Sequence, residues 1–422
     1  MTPARGSATP RAAPHRAPPG PRRRALLALL ALTILGILRL TLTPAADAST
    51  EALRLTCIVC GQQGGADAVL NVLLFAPVAL LLGALGVPGR RALLATALLS
   101  LGIETAQAFV PGRDPALGDL LFNSLGGVLG WSLARSPAAW LLPPAHQAAR
   151  RSLAAAAAVV AGTAGAGYLL GPARSDPPFG AEWTERTTTL AWYPGRVLGA
   201  RIGDLELPPG RLPDPLGFRR RLLHGEPLEL RATTGPPVPA LAPLLGIYAD
   251  GGEALLLGVA GNDLVFRYRP RAHRLRLVRP EFGLPGALAG IPAGRPLLVR
   301  VRIRPSGVDL AAGPGARARI GFTVGSGWML FLASQFGRAP FPWYLPPLWL
   351  AALCAPVGLW LRPRPASAAA LLLLAAGLPL AGLAVGLAPA PPLETAGAGL
   401  GLLAGAGLHA LLRRARVPRA VH

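Results

Sequence analysis

Between residues 104 and 130 the chain reads Glu104-x-x-Gln107-x-x-x-Pro111-x-Arg113, then Asp119-x-x-x-Asn123-x-x-Gly126-x-x-x-Gly130, with an acid and an amide on each side of an arginine. The residues around them are apolar. An ionised side chain at membrane depth costs at least ~2.5 kcal/mol on insertion scales, so such residues normally face the inside of a helix bundle and take part in function. Carboxylates accept hydrogen bonds, amides both donate and accept, and a guanidinium forks onto a carboxylate or a phosphate. Recognition of a polar or anionic head group is the chemistry this set suits best. An interhelical clamp is the competing account, but intramembrane hydrogen bonds average only ~0.6 kcal/mol, so so many charged groups would stabilise inefficiently. Acid–base catalysis by paired carboxylates would need one held protonated and the other ionised. No histidine, serine nucleophile elbow or metal cluster accompanies Glu104 and Asp119, so no cofactor is expected and recognition is preferred to catalysis.

Spacing gives these residues a common surface. Glu104 and Gln107 are three apart and Asp119 and Asn123 four apart, which places each pair on one helical face. Asp67 and Asn71 repeat the four-residue step at the start of an earlier apolar stretch. At ~1.5 Å per residue, Glu104 and Asn123 reach one depth if their helices are antiparallel. Arg113, on the connection between them, is placed to pair with Glu104 or Asp119, or to hold a ligand phosphate. Gly126, Gly127 and Gly130 read as a small-residue packing face.

The elements that position this set are membrane helices. The 422 residues are 52% hydrophobic and only 15% charged, too apolar for an ordinary soluble chain of this length. Apolar windows of roughly the length that crosses a ~30 Å hydrocarbon core fall near 25–43, 68–87, 91–110, 118–134, 152–171, 342–361, 366–388 and 394–413. The expected fold is therefore a membrane α-helical bundle of about eight transmembrane helices. The first window is read as an uncleaved helix, with Ala45-Ala46-Asp47-Ala48 keeping cleavage open. The small residues of the last window suit close helix contact.

The net charge of +22 comes from arginine alone, and a nucleic-acid partner would be one reading of it. The arginines instead sit mostly between the apolar windows, at 90–91, 135, 150–151, 362, 364 and 413–419, where short basic loops fix orientation. No nucleic acid is expected. Both termini are expected in the cytoplasm of a bacterial inner membrane. Residues 1–24 form a basic cytoplasmic tail, 25–135 a first membrane domain, 136–171 a cytoplasmic loop and fifth helix, 341–413 three further helices and 414–422 a second basic tail.

Residues 172–340 read differently. Period-two alternation in Leu298-Val299-Arg300-Val301-Arg302-Ile303-Arg304 and in Asp263-Leu264-Val265-Phe266-Arg267-Tyr268-Arg269 marks half-buried strands. Turn signals at Asp250-Gly251-Gly252, Gly261-Asn262-Asp263 and Pro305-Ser306-Gly307 join them into antiparallel hairpins, so an inserted, extracytoplasmic all-β sandwich is expected. The alternation of Arg267, Arg269 and Arg271 offers a basic patch for acidic glycans or anionic lipids, and Arg219, Arg220, Arg221, Arg274 and Arg276 add to the insert's charge. Trp183, Trp192 and Tyr193 are expected in core or interface packing ahead of sugar stacking. Cys57-x-x-Cys60 lies in the first outer loop, where an oxidising compartment favours a small disulfide, with free thiols and metal or redox use left open. Cys354 falls in an apolar segment and behaves as a small hydrophobe.

Taken as a set, the E-x-x-Q, P-x-R and D-x-x-x-N-x-x-G elements, preceded by Asn71-x-x-x-Phe75-x-Pro77, resemble the VanZ-like family of integral membrane proteins over about residues 25–135. Ala79 departs from the glycine expected near Pro77. The insert resembles a laminin G or concanavalin A-like jelly roll, most tellingly over 261–267. These resemblances imply a cell-envelope setting and a link to glycopeptide antibiotic resistance, with no settled reaction, while the residues themselves are read as a ligand site formed by Asn71, Glu104, Gln107, Arg113, Asp119 and Asn123. The expected partners are the lipid bilayer, an envelope glycan or lipid-linked precursor, and envelope-assembly proteins. A membrane enzyme on a lipid-linked substrate and a scaffold of an envelope-polymer assembly are the alternatives.

Overall fold

The computed structural model describes residues 20–44, 58–59, 61–113, 115–184, 190–250 and 252–416. The basic segment before Gly20, the Cys57 and Cys60 pair, the Ala45–Ala48 stretch and the tail after Arg416 lie outside the described residues. Eleven helices occupy the described chain: α1 (Pro21–Thr41), α2 (Gly64–Ala84), α3 (Gly89–Gln107), α4 (Leu117–Arg135), α5 (Pro137–Leu141), α6 (Ala145–Leu170), α7 (Pro215–Leu223), α8 (Met329–Leu332), α9 (Leu345–Trp360), α10 (Pro365–Ala384) and α11 (Pro392–Arg416). Each apolar window of the sequence is occupied by one of them. Five, α1, α2, α6, α10 and α11, are long and apolar enough to cross a membrane. By contrast α3 and α4 carry charged residues in their 19 positions, and α9 has 16 residues. The chain divides into two compact units, one of Met1–Ile58 with Asn71–Arg135, the other of Val59–Leu70 with Ser136–His422.

In the first unit, α3 buries Ala92, Thr96, Ser100, Ile103, Glu104 and Gln107, a single stripe at three- and four-residue steps. The α4 stripe is Asn123, Gly126, Gly127 and Gly130. A Cβ at Gly126 or Gly130 would collide with the carbonyl oxygens of Val72 and Ala76 on α2, while one at Gly127 would meet the Thr96 methyl of α3 at 3.0 Å. The glycines therefore do what their spacing announced: α4 packs backbone to backbone against α2 and closely against α3. Ile37, Phe75, Val78 and Ile103 form the apolar cluster joining α1, α2 and α3.

The second unit joins a helical bundle to a two-sheet domain. Its strands are β1 (Phe179–Trp183), β2 (Arg196–Ile202), β3 (Leu205–Glu206), β4 (Gly210–Arg211), β5 (Leu228–Thr233), β6 (Val238–Ala249), β7 (Gly252–Gly261), β8 (Asp263–Tyr268), β9 (Glu281–Leu284), β10 (Pro296–Arg304), β11 (Gly307–Ala312), β12 (Ala316–Gly321) and β13 (Arg338–Ala339). A seven-stranded sheet runs β13-β9-β8-β7-β6-β1-β4, and a six-stranded one runs β12-β11-β10-β5-β2-β3. All pairings are antiparallel except β13 with β9. Each of the three turn signals closes a hairpin, between β6 and β7, β7 and β8, and β10 and β11. One buried cluster fills the space between the sheets, with Val299, Val301 and Ile303 from one and Leu255, Leu257 and Phe266 from the other. It continues through Trp328 into Leu170, Leu350 and Leu387 at the ends of the bundle helices.

In that bundle, Gly397, Gly401 and Gly405 of α11 bring its backbone against the Pro347, Ala351 and Ala355 carbonyls of α9. Cys354 is fully buried in the apolar cluster shared by α6, α9 and α10. The end opposite the sheets gathers aromatic and basic groups: Trp360 donates to the Trp140 carbonyl at 2.7 Å, and Arg151 lies 5.2 Å over the Trp140 ring.

Candidate functional site

The polar residues of the first unit converge at one end of its helices. Asn71 Nδ2 donates to Asp119 Oδ1 at 2.9 Å, tying α2 to the first turn of α4. Glu104 Oε2 accepts the Ala116 backbone N–H at 2.9 Å, holding the connection between α3 and α4. Asn123 Nδ2 donates to Ser100 Oγ at 2.9 Å, one turn below Glu104. Gln107 Nε2 donates to the Thr41 carbonyl at 3.0 Å, which binds the last turn of α3 to the end of α1. Glu104, Gln107 and Asn123 are all buried, and Asp119 is half-buried.

Two features differ from the sequence expectation. Arg113 pairs with neither carboxylate among the described residues. Its Nε donates to the Thr43 carbonyl at 3.0 Å and its Nη2 to the Leu40 carbonyl at 3.1 Å. The physical reason is that the last carbonyls of α1 have no partner within their own helix, and a cation near a helix C-terminus both satisfies them and opposes the negative end of the dipole. The second is Ser100, a member of the cluster that sequence reasoning passed over, although it lies four residues before Glu104 on the same face. Asn123 Oδ1 is buried with no donor reaching it among the described residues.

The opposite end of the same unit is basic. Gly83 packs on Ala134 and Gly89 on Trp131, which brings together the end of α2, the start of α3 and the end of α4, with Arg90, Arg91 and Arg135 beside them.

The basic patch expected at 267, 269 and 271 is corrected. The strand ends at Tyr268, because Pro270 has no N–H to continue the ladder. Arg267 is spent on Glu253 at 2.7 Å and Glu281 at 2.8 Å. Arg269 is buried against the Glu253 and Ala249 carbonyls, and Arg271 covers the Tyr168 ring at 4.2 Å. Alternation gives a face, and it says nothing of partners. Tyr193 is buried and donates to the Thr233 carbonyl, and Trp183 donates to the Leu207 carbonyl, so both serve packing. Glu229, on the six-stranded sheet, accepts from Arg201 and Arg300, and the Arg201 bond first of all holds its carboxyl below the usual range.

A further buried acid was missed. Glu394, in the first turn of α11, accepts from Thr323 Oγ1 at 2.6 Å and from the Gly325 N–H at 3.1 Å, fastening the sheet domain to the bundle. Its signal was a lone acid at a helix start, where the dipole favours negative charge.

No curated protein and no solved structure matches the chain, so the laminin G or concanavalin A-like reading of the insert has only its two-sheet architecture behind it. Residues 25–141 match the VanZ/LLP1 family model, and together with the five long apolar helices this makes the chain a multi-pass membrane protein with a VanZ/LLP1 region near its N-terminus.

Proposed function

We propose that the first unit recognises the polar or anionic head group of an envelope ligand, a lipid-linked or glycan precursor, at the helix ends where Asn71, Glu104, Gln107, Asp119 and Asn123 meet. The observation that carries this reading is a buried carboxyl group, Glu104, and a half-buried one, Asp119, beside an amide whose oxygen accepts from nothing among the described residues. A mere clamp would leave fewer groups half-used. Arg113 contributes by holding the end of α1 against this site, and its Nη1 has no hydrogen-bond partner among the described residues.

The orientation goes with it. Arginines mark one end of the first unit and the polar cluster the other, so the positive-inside tendency turns the cluster away from the cytoplasm. With α3, α4 and α9 counted as crossings beside the five apolar helices, the chain spans a bacterial inner membrane about eight times. Both termini then lie inside and the sheet domain outside, where it serves as ligand or partner adaptor. A role in the cell envelope, with the relation to glycopeptide resistance that the VanZ-like resemblance implies, fits this placement.

The test is retention of ligand by the purified protein, read by native mass spectrometry from membranes. Wild-type protein is expected to carry a head-group-bearing lipid that Glu104→Gln loses about tenfold or more, the cost of one bond to a charged group, with unchanged accumulation. Equal retention by wild type and variant would reject the reading. Chemical turnover of that lipid by wild-type protein, abolished in Glu104→Gln, would replace recognition with catalysis.

A further inference from the structure

The outward face of the six-stranded sheet carries a second site that the proposed function does not use. Along β10, Val299, Val301 and Ile303 point into the core, which turns Arg300, Arg302 and Arg304 outward. The register sets Arg302 opposite Asp309 on β11, and Asp309 opposite Arg319 on β12. Arg300 stands opposite Ala311, which stands opposite Arg317. On the other side of β10, Leu298 pairs with Arg231. The outward residues of β10, β11 and β12 border an open groove of about 630 Å³, and Arg231 lies on the same face beyond its lining.

The acids in the groove are already neutralised. Glu229 is held by Arg201 at 2.5 Å and Arg300 at 2.7 Å, and Asp309 by Arg319 at 2.8 Å and Arg304 at 3.2 Å. Arg231, Arg302 and Arg317 have no ion pair among the described residues. Positive charge therefore exceeds negative along the whole face, and the uncompensated guanidiniums sit on three different strands.

We propose that this groove binds a linear polymer bearing phosphate groups. Alternate residues on a strand lie ~7 Å apart and neighbouring strands ~4.8 Å apart, so the guanidiniums repeat along and across the sheet as a lattice of anion sites. A repeating polyanion engages such a lattice where a single ion engages one point of it. Guanidinium forks bind phosphate oxygens bidentately, and a tetrahedral phosphate can bridge forks from two strands. The groove lining contains no aromatic ring. That removes the stacking platform on which sugar rings or the bases of a single-stranded nucleic acid would rest, and leaves backbone charge as the recognised feature.

The test uses the full chain in neutral detergent micelles, with fluorescently labelled sodium polyphosphate as probe and anisotropy as readout. Wild-type protein is expected to bind, with affinity that falls as salt rises. The pair Arg302→Glu and Arg317→Glu together should weaken binding at least about tenfold, because each removes a charge-assisted contact. Both side chains point away from the core, and unchanged thermal unfolding confirms that the variant is folded. Arg274→Glu, a charge reversal of half that size on the exposed short helix after β8, should leave binding within about twofold of wild type, as expected where no contact is lost. Failure of the wild type to bind, or an equal loss with Arg274→Glu, would overturn the site. Equal affinity for polygalacturonate would overturn the choice of phosphate. Glu104→Gln should bind polyphosphate like wild type, so this proposal and the head-group reading of the first unit stand or fall separately.

Discussion

Asn123 separates a clamp from a site at the level of one side chain. Its Nδ2 is used by Ser100 and its Oδ1 by nothing among the described residues, so the amide sits buried and half-satisfied. Replacing it by the similar-sized Leu removes the unsatisfied acceptor along with the bond, and the Ser100 hydroxyl left behind can donate to a carbonyl one turn earlier in its own helix, which keeps the cost small. The lost interhelical bond is worth about 0.6 kcal/mol on average. Asn123→Leu is therefore expected to keep or raise the thermal unfolding temperature in micelles while losing the co-purified lipid seen by native mass spectrometry. A clamp predicts the reverse, a less stable protein with retained lipid. Most of this cluster was legible because apolar surroundings make every carboxylate and amide conspicuous. The partner of Arg113 was not: a guanidinium's reach covers several acceptors, and the α1 carbonyls that won it are backbone atoms that no sequence pattern displays.

Among the elements, glycine position decides how near two helices come. In α11, Gly397, Gly401 and Gly405 lie on the side that touches α9, whereas a Cβ at Gly399 or Gly407 would meet nothing. A leucine at 401 must push the backbone of α9 away, so Gly401→Leu should destabilise by roughly 1–3 kcal/mol, the usual cost of overpacking. Gly399→Leu adds no clash and gains helix propensity, and should unfold at or above the wild-type temperature. Equal effects of the two would mean that α9 and α11 are not packed through this stripe. The helices were readable from hydropathy and the three hairpins from turn residues, because both signals are local. The order of the sheets was not, since β1 finds β6 and β2 finds β5 across intervening chain. Helix α7 was overlooked, although Asp214 accepts from the Gly217 N–H and Pro215 opens the first turn, an N-cap and N1 pair that announces a helix start.

For the whole molecule, each unit supplies its own evidence of direction. In the first, Arg90, Arg91 and Arg135 lie at one end and the Glu104 cluster at the other. In the second, Arg151 with Trp140 and Trp360 lies at one end, and the sheet domain covers the other. On the proposed orientation, both the Pro111 connection and the turn at Gly315 are expected outside. With α6 long and apolar enough to cross, these two points share a side only if α4 crosses as well, and α4, with Asp119 and Arg135 in 19 residues, is the less apolar of the pair. In a cysteine-free background, Pro111→Cys and Gly315→Cys should react with a membrane-impermeant maleimide in intact cells lacking an outer membrane barrier, and Arg364→Cys only after permeabilisation. Labelling of Gly315→Cys alone would mean that α4 does not cross. It would leave the Glu104 cluster facing the cytoplasm and remove the outward site, while the polyanion groove on the sheet domain would stay where a polymer of the envelope can reach it.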